Sequence, residues 1–170
     1  NIYIYNVAKN YKQIGVCTGH SSYITHIDWS ADSTMIQSND GAYELLYWDA
    51  ARAKQITSSY ALRDVAWQTW TCALGWPVQG IWLEDSDGTD INAVSRSAQG
   101  DIIATADDYG MVRLFKYPSL RGVGKGKGPL PPHKAYRGHM SHVMNVRFLS
   151  NDTHLISVGG NDAAVFQWRH

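Results

Sequence analysis

A chain of 170 residues is long enough to bury a core as one domain, and its 44% hydrophobic content is that of a folded protein rather than a disordered segment. Fifteen basic residues balance fifteen acidic ones, which argues against a dedicated nucleic-acid binder. The apolar runs fall far short of the roughly 20 residues a membrane span needs. No basic stretch precedes an apolar block as in a signal peptide. Cys17 and Cys72 are the only cysteines, so a disulfide framework is not expected and a reducing, intracellular setting fits. The chain opens on Asn1, without Met and in mid-pattern, and is expected to be cut from something longer.

Alternation begins at once, in Ile2-Tyr3-Ile4-Tyr5, and a Gly19-His20 pair follows. Apolar residues two or three apart then mark a strand at Tyr23–Trp29, closed by the turn signal Ala31-Asp32-Ser33. The next thirteen residues, Ile36 to Trp48, hold a β-like run, an Asn/Asp/Gly turn and a second run ending on an aromatic. The same sequence of parts recurs. Asp90–Val94 leads through Gln99-Gly100-Asp101 to Ile103–Phe115, and His142–Phe148 leads through Ser150-Asn151-Asp152 to Ile156–Trp168. The three thirteen-residue segments align without gaps, and a second Gly-His pair, Gly138-His139, opens the last unit.

Gly-His, three short strands and the dipeptide Trp48-Asp49 resemble the WD repeat, each unit of which forms most of a four-stranded propeller blade. The fold expected is therefore all-β: a partial WD-repeat β-propeller of divergent repeats, about three blades plus the end of a preceding one. In that family the Gly-His histidine, a Ser/Thr on the second strand, a turn Asp and the closing Trp form a buried hydrogen-bonded set. The gapless alignment gives the first unit His20, Ser38 and Trp48, with Ala42 at the acid position. The third receives His139, Asp162 and Trp168, with Val158 at the hydroxyl position. The middle unit keeps Thr105 and Phe115, with Ser86-Asp87 in place of Gly-His and Tyr109 in the turn. Since all three sets come out incomplete, the blades are expected to rest on packing more than on polar networks.

Two further stretches are more specific: Trp67–Trp82 running on into Asp85-Ser86-Asp87-Gly88-Thr89-Asp90-Ile91-Asn92-Ala93-Val94, and His154–Asp162 followed by Gln167-Trp168. With Cys17–Thr25 they resemble the C-terminal propeller region of the echinoderm microtubule-associated protein-like family, over nearly the whole chain. The resemblance implies part of the second of two tandem propellers, in a protein that associates with tubulin or microtubules and, for some members, with cilia. On about forty residues per blade, residues 1–18 end one blade, 19–85 form a blade with an aromatic insertion, 86–137 a blade with a Gly/Pro-rich basic loop, and 138–170 a blade lacking its last strand. The remaining blades would come from the parent chain.

Four of the seven tryptophans, Trp67, Trp70, Trp76 and Trp82, fall between Ser58 and Asp85. They are read as an inserted strand or two packed on the blade rather than a ligand pocket, with Gly75-Trp76-Pro77 as a turn. From Tyr109 to Asn151 no acidic residue occurs. The stretch Gly122–Pro129 lacks the spacing of a phosphate loop, and Pro129, Pro131 and Pro132 preclude the following helix. Arg121, Lys125, Lys127 and Lys134 are candidate contacts to an acidic partner, against a solvated linker as the plainer reading. The histidines and cysteines show no zinc-finger spacing and no serine lies in a nucleophile elbow, so no catalytic, cofactor-binding or metal residues are expected. The leading expectation is a non-enzymatic cytoskeletal scaffold. It would sit in the cytoplasm on microtubules or an axoneme, bind tubulin and other cytoskeletal or axonemal proteins, and bind neither nucleic acid nor membrane. The alternative is a WD-repeat adaptor of a signalling or ubiquitin-ligase complex.

Overall fold

The computed structural model describes residues 1–82, 90–121 and 131–170. Among them the regular structure is almost all antiparallel strand. β1 (Ile2–Asn6) pairs with β2 (Lys12–Cys17). β3 (Ile24–Trp29), β4 (Met35–Asp40), β5 (Leu45–Asp49) and β6 (Lys54–Ile56) form a four-stranded sheet in chain order. β7 (Ile91–Arg96), β8 (Ile102–Asp107), β9 (Met111–Lys116) and β10 (His133–Arg137) form another. β11 (Val143–Phe148), β12 (His154–Gly159) and β13 (Val165–Arg169) form a third, three-stranded sheet. Meanders of short strands joined by tight turns are what alternating apolar runs punctuated by Gly, Asp and Ser specify.

The repeat is visible in the registers. The first strand of each of these three sheets carries an irregularity at the same place, between Ile24 and His26, Ile91 and Ala93, and Val143 and Asn145. The turn into the second strand is also shared. Ser30, Ser97 and Leu149 donate their amides to Met35, Ile102 and His154, and a residue with left-handed backbone (Ser33, Gly100, Asp152) sits at each corner. The second hairpins differ in one respect. Ile36 faces Trp48 and Ile103 faces Phe115, but Trp168 faces Leu155 rather than Ile156. The last turn is one residue longer, and the gapless alignment is corrected by one position on β12.

The chain divides into two compact units, Asn1–Leu74 and Gly75–His170, each with its own core. In the first, Ile2, Ile4, Cys17, Ile36, Trp48 and Ala50 pack together; in the second, Ala93, Ala104, Ala106, Val112, Val143, Val146 and Leu155 do. The small residues of β7 and β8 let β11 lie close against them. The aromatic insertion forms no sheet strand among its described residues, contrary to expectation. It contributes the single bridge Ser30–Trp67 and two 3-10 turns, Ser59–Leu62 and Trp76–Ile81, the second begun by Gly75-Trp76-Pro77. Trp67 and Trp70 are buried edge to face, whereas Trp76 is exposed, so only part of the insertion serves as core. Among the described residues no helix is long and apolar enough to cross a membrane.

Candidate functional site

The chemistry-bearing side chains gather at the ends of the second strands. In the β3–β6 sheet, His20 Nε2 lies 2.6 Å from Ser38 Oγ, and the Trp48 indole N–H donates to that same oxygen at 2.8 Å. His20 Nδ1 lies 3.1 Å from Asp40 Oδ2. In the β11–β13 sheet, His139 Nε2 is 2.7 Å from Ser157 Oγ, Trp168 donates to Ser157 at 2.8 Å, and His139 Nδ1 is 3.0 Å from Asp162 Oδ2. Sequence reasoning missed two of these eight residues, Asp40 and Ser157. Asp40 closes the first set from the end of β4, so Ala42 is not the acid position. Ser157 supplies the hydroxyl of the third, not Val158, because the longer turn shifts β12 by one residue.

A single glycine accounts for the different source of the acid. Val143 pairs with Gly159 as Ile24 pairs with Asp40, so Gly159 occupies the acid's strand position. A Cβ there would collide with the Asp162 carboxylate and come within 2.5 Å of His139 Nδ1. The space that Asp40 fills from the strand is filled in the last sheet by a carboxylate reaching back from the turn. The glycines of the Gly-His pairs have a packing reason too, since an added Cβ would lie 3.2 Å from the Trp48 ring at Gly19 and 2.8 Å from the Trp168 ring at Gly138.

Burial would raise the Asp40 carboxyl, but the Glu44 and Ala42 amides, together with His20, outweigh it and hold it below the ordinary range. Asp162 is likewise lowered: burial opposes, while the Met140 amide, His139 and the Ala164 amide prevail. An Asp–His–Ser order at these distances matches a hydrolytic triad, but the surroundings do not. Ser38 and Ser157 are each 0% exposed and their oxygens already accept an indole N–H, so neither can reach a substrate. The two cysteines offer no activated thiol either. Burial pushes Cys17 up, and burial together with the Asp28 carboxylate pushes Cys72 well up.

The middle sheet arranges its charges differently. Thr105 and Phe115 are fully buried, and Phe115 stacks on His133 with ring centroids 4.8 Å apart. Asp107, the counterpart of Asp40, takes the Tyr109 and Met111 amides and is held by the Arg113 guanidinium. Burial raises its carboxyl beyond what these partners recover. Residues 86 and 87, read as standing in for Gly-His, lie outside the described residues.

Asp28 is a hub that the sequence did not signal. Its buried carboxylate accepts from the Gln37 amide, the Thr69 and Thr71 hydroxyls, and the Thr71 and Cys72 backbone amides. Burial raises it, yet those donors, Thr69 first, leave the carboxyl below its ordinary range. With Gln68 donating to Trp29 O and Leu74 to Asn39 Oδ1, Asp28 fastens residues 68–74 along β3 and β4.

Of the candidate acidic-partner contacts, Arg121 is exposed and donates to Trp82 O at 2.8 Å, and Lys134 is exposed on the outermost strand β10. Lys125 and Lys127 lie outside the described residues.

Comparison with known proteins places this geometry. The family model "Echinoderm microtubule-associated protein second beta-propeller" matches residues 1–170. The chain belongs to the echinoderm microtubule-associated protein family. It is 51% identical over 170 residues to the 77 kDa echinoderm microtubule-associated protein of Strongylocentrotus purpuratus, covering 98% of this chain and 24% of that protein. It is 50% identical to human echinoderm microtubule-associated protein-like 1, covering 99% and 20%, and 52% identical to Xenopus laevis echinoderm microtubule-associated protein-like 4, covering 99% and 18%. The chain thus spans a quarter or less of the length of these relatives. Among solved structures, the computationally designed Ika8 protein superposes with a TM-score of 0.55 at 17% identity over 93% of this chain and 49% of Ika8, a likeness of fold alone. For this member of the family, the all-β partial propeller expected from the repeats is the architecture found.

Proposed function

We propose that this segment is a non-enzymatic WD-repeat scaffold of a microtubule-associated protein, contributing to tubulin, microtubule or axonemal protein binding from the cytoplasmic cytoskeleton. The observation that carries this reading is the burial of both Asp–His–Ser sets, with Ser38 and Ser157 capped by tryptophan N–H groups. Groups that would perform chemistry in an open cleft here tie the strands of one sheet together, which leaves loops and edges to do the work. The names of the relatives support a microtubule role for the parent protein. The partition into an ending blade (1–18), blades at 19–85 and 86–137 and an unfinished one at 138–170 belongs to this proposal. The recurring registers and the three-stranded last sheet support it.

Contact with an acidic partner would fall to Arg121, Lys125, Lys127 and Lys134. Exposed Arg121 and Lys134 are consistent with that role. Rim charges of this kind chiefly change the rate and salt dependence of association. Co-sedimentation of the full-length protein with microtubules, with and without residues 1–170, tests the assignment. Loss of microtubule or soluble-tubulin binding on deletion is expected. Unchanged binding to both would leave an adaptor role without microtubule contact.

A further inference from the structure

The two His–Ser–Trp sets are nearly superimposable in their distances, but the first has an additional carboxylate. Glu44 Oε2 stands 3.6 Å from His20 Nδ1, on the same side as Asp40 Oδ2 at 3.1 Å. The His20 side chain is only 2% exposed, and Asp40 Oδ2, although 3.1 Å from Nδ1, is not aligned with it for a good hydrogen bond. His139 Nδ1, by contrast, makes a well-directed bond to Asp162. Thus a buried ring nitrogen stands within 3.1 and 3.6 Å of two carboxylate oxygens, close enough to feel both, without a well-aligned hydrogen bond to either.

We propose that His20 Nδ1, Asp40 Oδ2 and Glu44 Oε2 form a site for one divalent transition-metal ion, Zn²⁺ in type, with water completing its shell. The three atoms lie within 4.8 Å of one another, the only such group among the described residues. Tetrahedral ligands about 2.0–2.2 Å from a common zinc ion stand roughly 3.3–3.6 Å apart, so the 3.6 Å separation here fits as it stands and the 3.1 Å one needs only a small outward shift. One imidazole with two carboxylates selects zinc and its neighbours over Ca²⁺ or Mg²⁺, which take oxygen alone.

The outer partners a metal site needs are also in place. His20 Nε2 faces Ser38 Oγ, which fixes the ring and can accept a hydrogen bond from Nε2–H when Nδ1 binds the ion. Asp40 Oδ2 accepts from the Ser22 amide, and Asp40 Oδ1 from those of Ala42 and Glu44. Glu44 Oε2 accepts from the Ser21 amide. Glu44 is 35% exposed, which gives an ion a way in. The competing arrangement is a protonated imidazole shared by both carboxylates. It predicts no metal uptake.

The test compares Zn²⁺ binding by calorimetry to the chelator-stripped full-length protein and to its Glu44→Gln variant. Glutamine keeps the side chain's size and an acceptor for the Ser21 amide, so folding should be retained. The wild type is expected to bind one more ion than the variant, or to bind it more tightly by more than the roughly 10–100-fold that loss of an outer partner costs. Co²⁺ should give visible absorption bands that Glu44→Gln weakens, while Asp162→Asn in the other set should change neither count nor spectrum. Equal uptake by wild type and Glu44→Gln, no uptake by either, or equal loss in Asp162→Asn would each overturn the assignment.

Discussion

The β3–β6 and β11–β13 sheets hold the same imidazole, hydroxyl and indole, but obtain their acid from different places. In the first sheet Asp40 stands on the strand; in the last a glycine vacates that position and Asp162 fills it from a turn one residue longer. The shared element is the volume and charge the carboxylate occupies, not its column in an alignment. The middle sheet extends the lesson. There the strand acid is retained as Asp107, and Arg113 supplies the positive partner from the neighbouring strand. Each sheet places a cationic or hydrogen-bonding group against an acid at the same corner, by three different residue choices.

The comparison breaks most sharply at Ser157 and Val158. Ser157→Ala removes the acceptor of a half-buried indole N–H and the partner of a buried imidazole, and should cost about 2–4 kcal/mol, given roughly 1–3 kcal/mol for an orphaned buried group and less for the half-exposed one. Val158→Ala, at a residue 40% exposed, should cost well under 1 kcal/mol. Urea denaturation of the two variants in the full-length protein decides the register, and the reverse order would restore the gapless alignment. Gly159→Ala sharpens the contrast. It should destabilise by about 2–3 kcal/mol in the same assay, since the backbone and Asp162 must part to admit a methyl group. A mild effect would mean that the turn carries its acid loosely.

Asp28→Asn keeps the shape of the hub but loses the charge that faces its donors, at about 1.5–3 kcal/mol. It should also raise proteolytic cleavage within residues 66–74, which limited proteolysis would read.

The pH dependence of stability separates Asp28 from Asp107 by sign. Asp28 is held below its unfolded value, so its contribution is complete above about pH 4 and fades as pH falls through the folded value. Asp107 is raised, so between its unfolded and folded values the native state binds more protons and stability improves as pH falls. Thermal melts of Asp28→Asn and Asp107→Asn should flatten opposite slopes. Slopes of the same sign would show that one of the two environments has been misread.

Most of the fold was legible because its determinants are local. Period-two runs, turn residues and Gly-His pairs fix strands and corners within a few residues of themselves. The site was legible only in part. His20, Ser38, Trp48, His139, Asp162 and Trp168 lie where family spacing puts them, but a single inserted residue hid Ser157, and a fixed column hid Asp40. Neither Arg113 nor Asp28 carries a local signal. Arg113 acts through a cross-strand neighbour, and Asp28 through residues more than forty positions away. The tryptophans of the insertion misled because aromatic residues favour strands in general. What decides their conformation here is the hydrogen bonding around Asp28 and the 3-10 turn at Trp76–Ile81, neither of which follows from composition.

The Asp28 hub has a further consequence for how this segment tolerates change. Because residues 68–74 are anchored independently of the chain that leads to them, the link between Ile56 and Ala66 is freed from setting their position. Lengthening it would add only the slow logarithmic cost of closing a larger loop, about 0.6 kcal/mol per doubling. The stretch can therefore vary among relatives in length and in what it displays, while the far end returns to the same berth on the sheet.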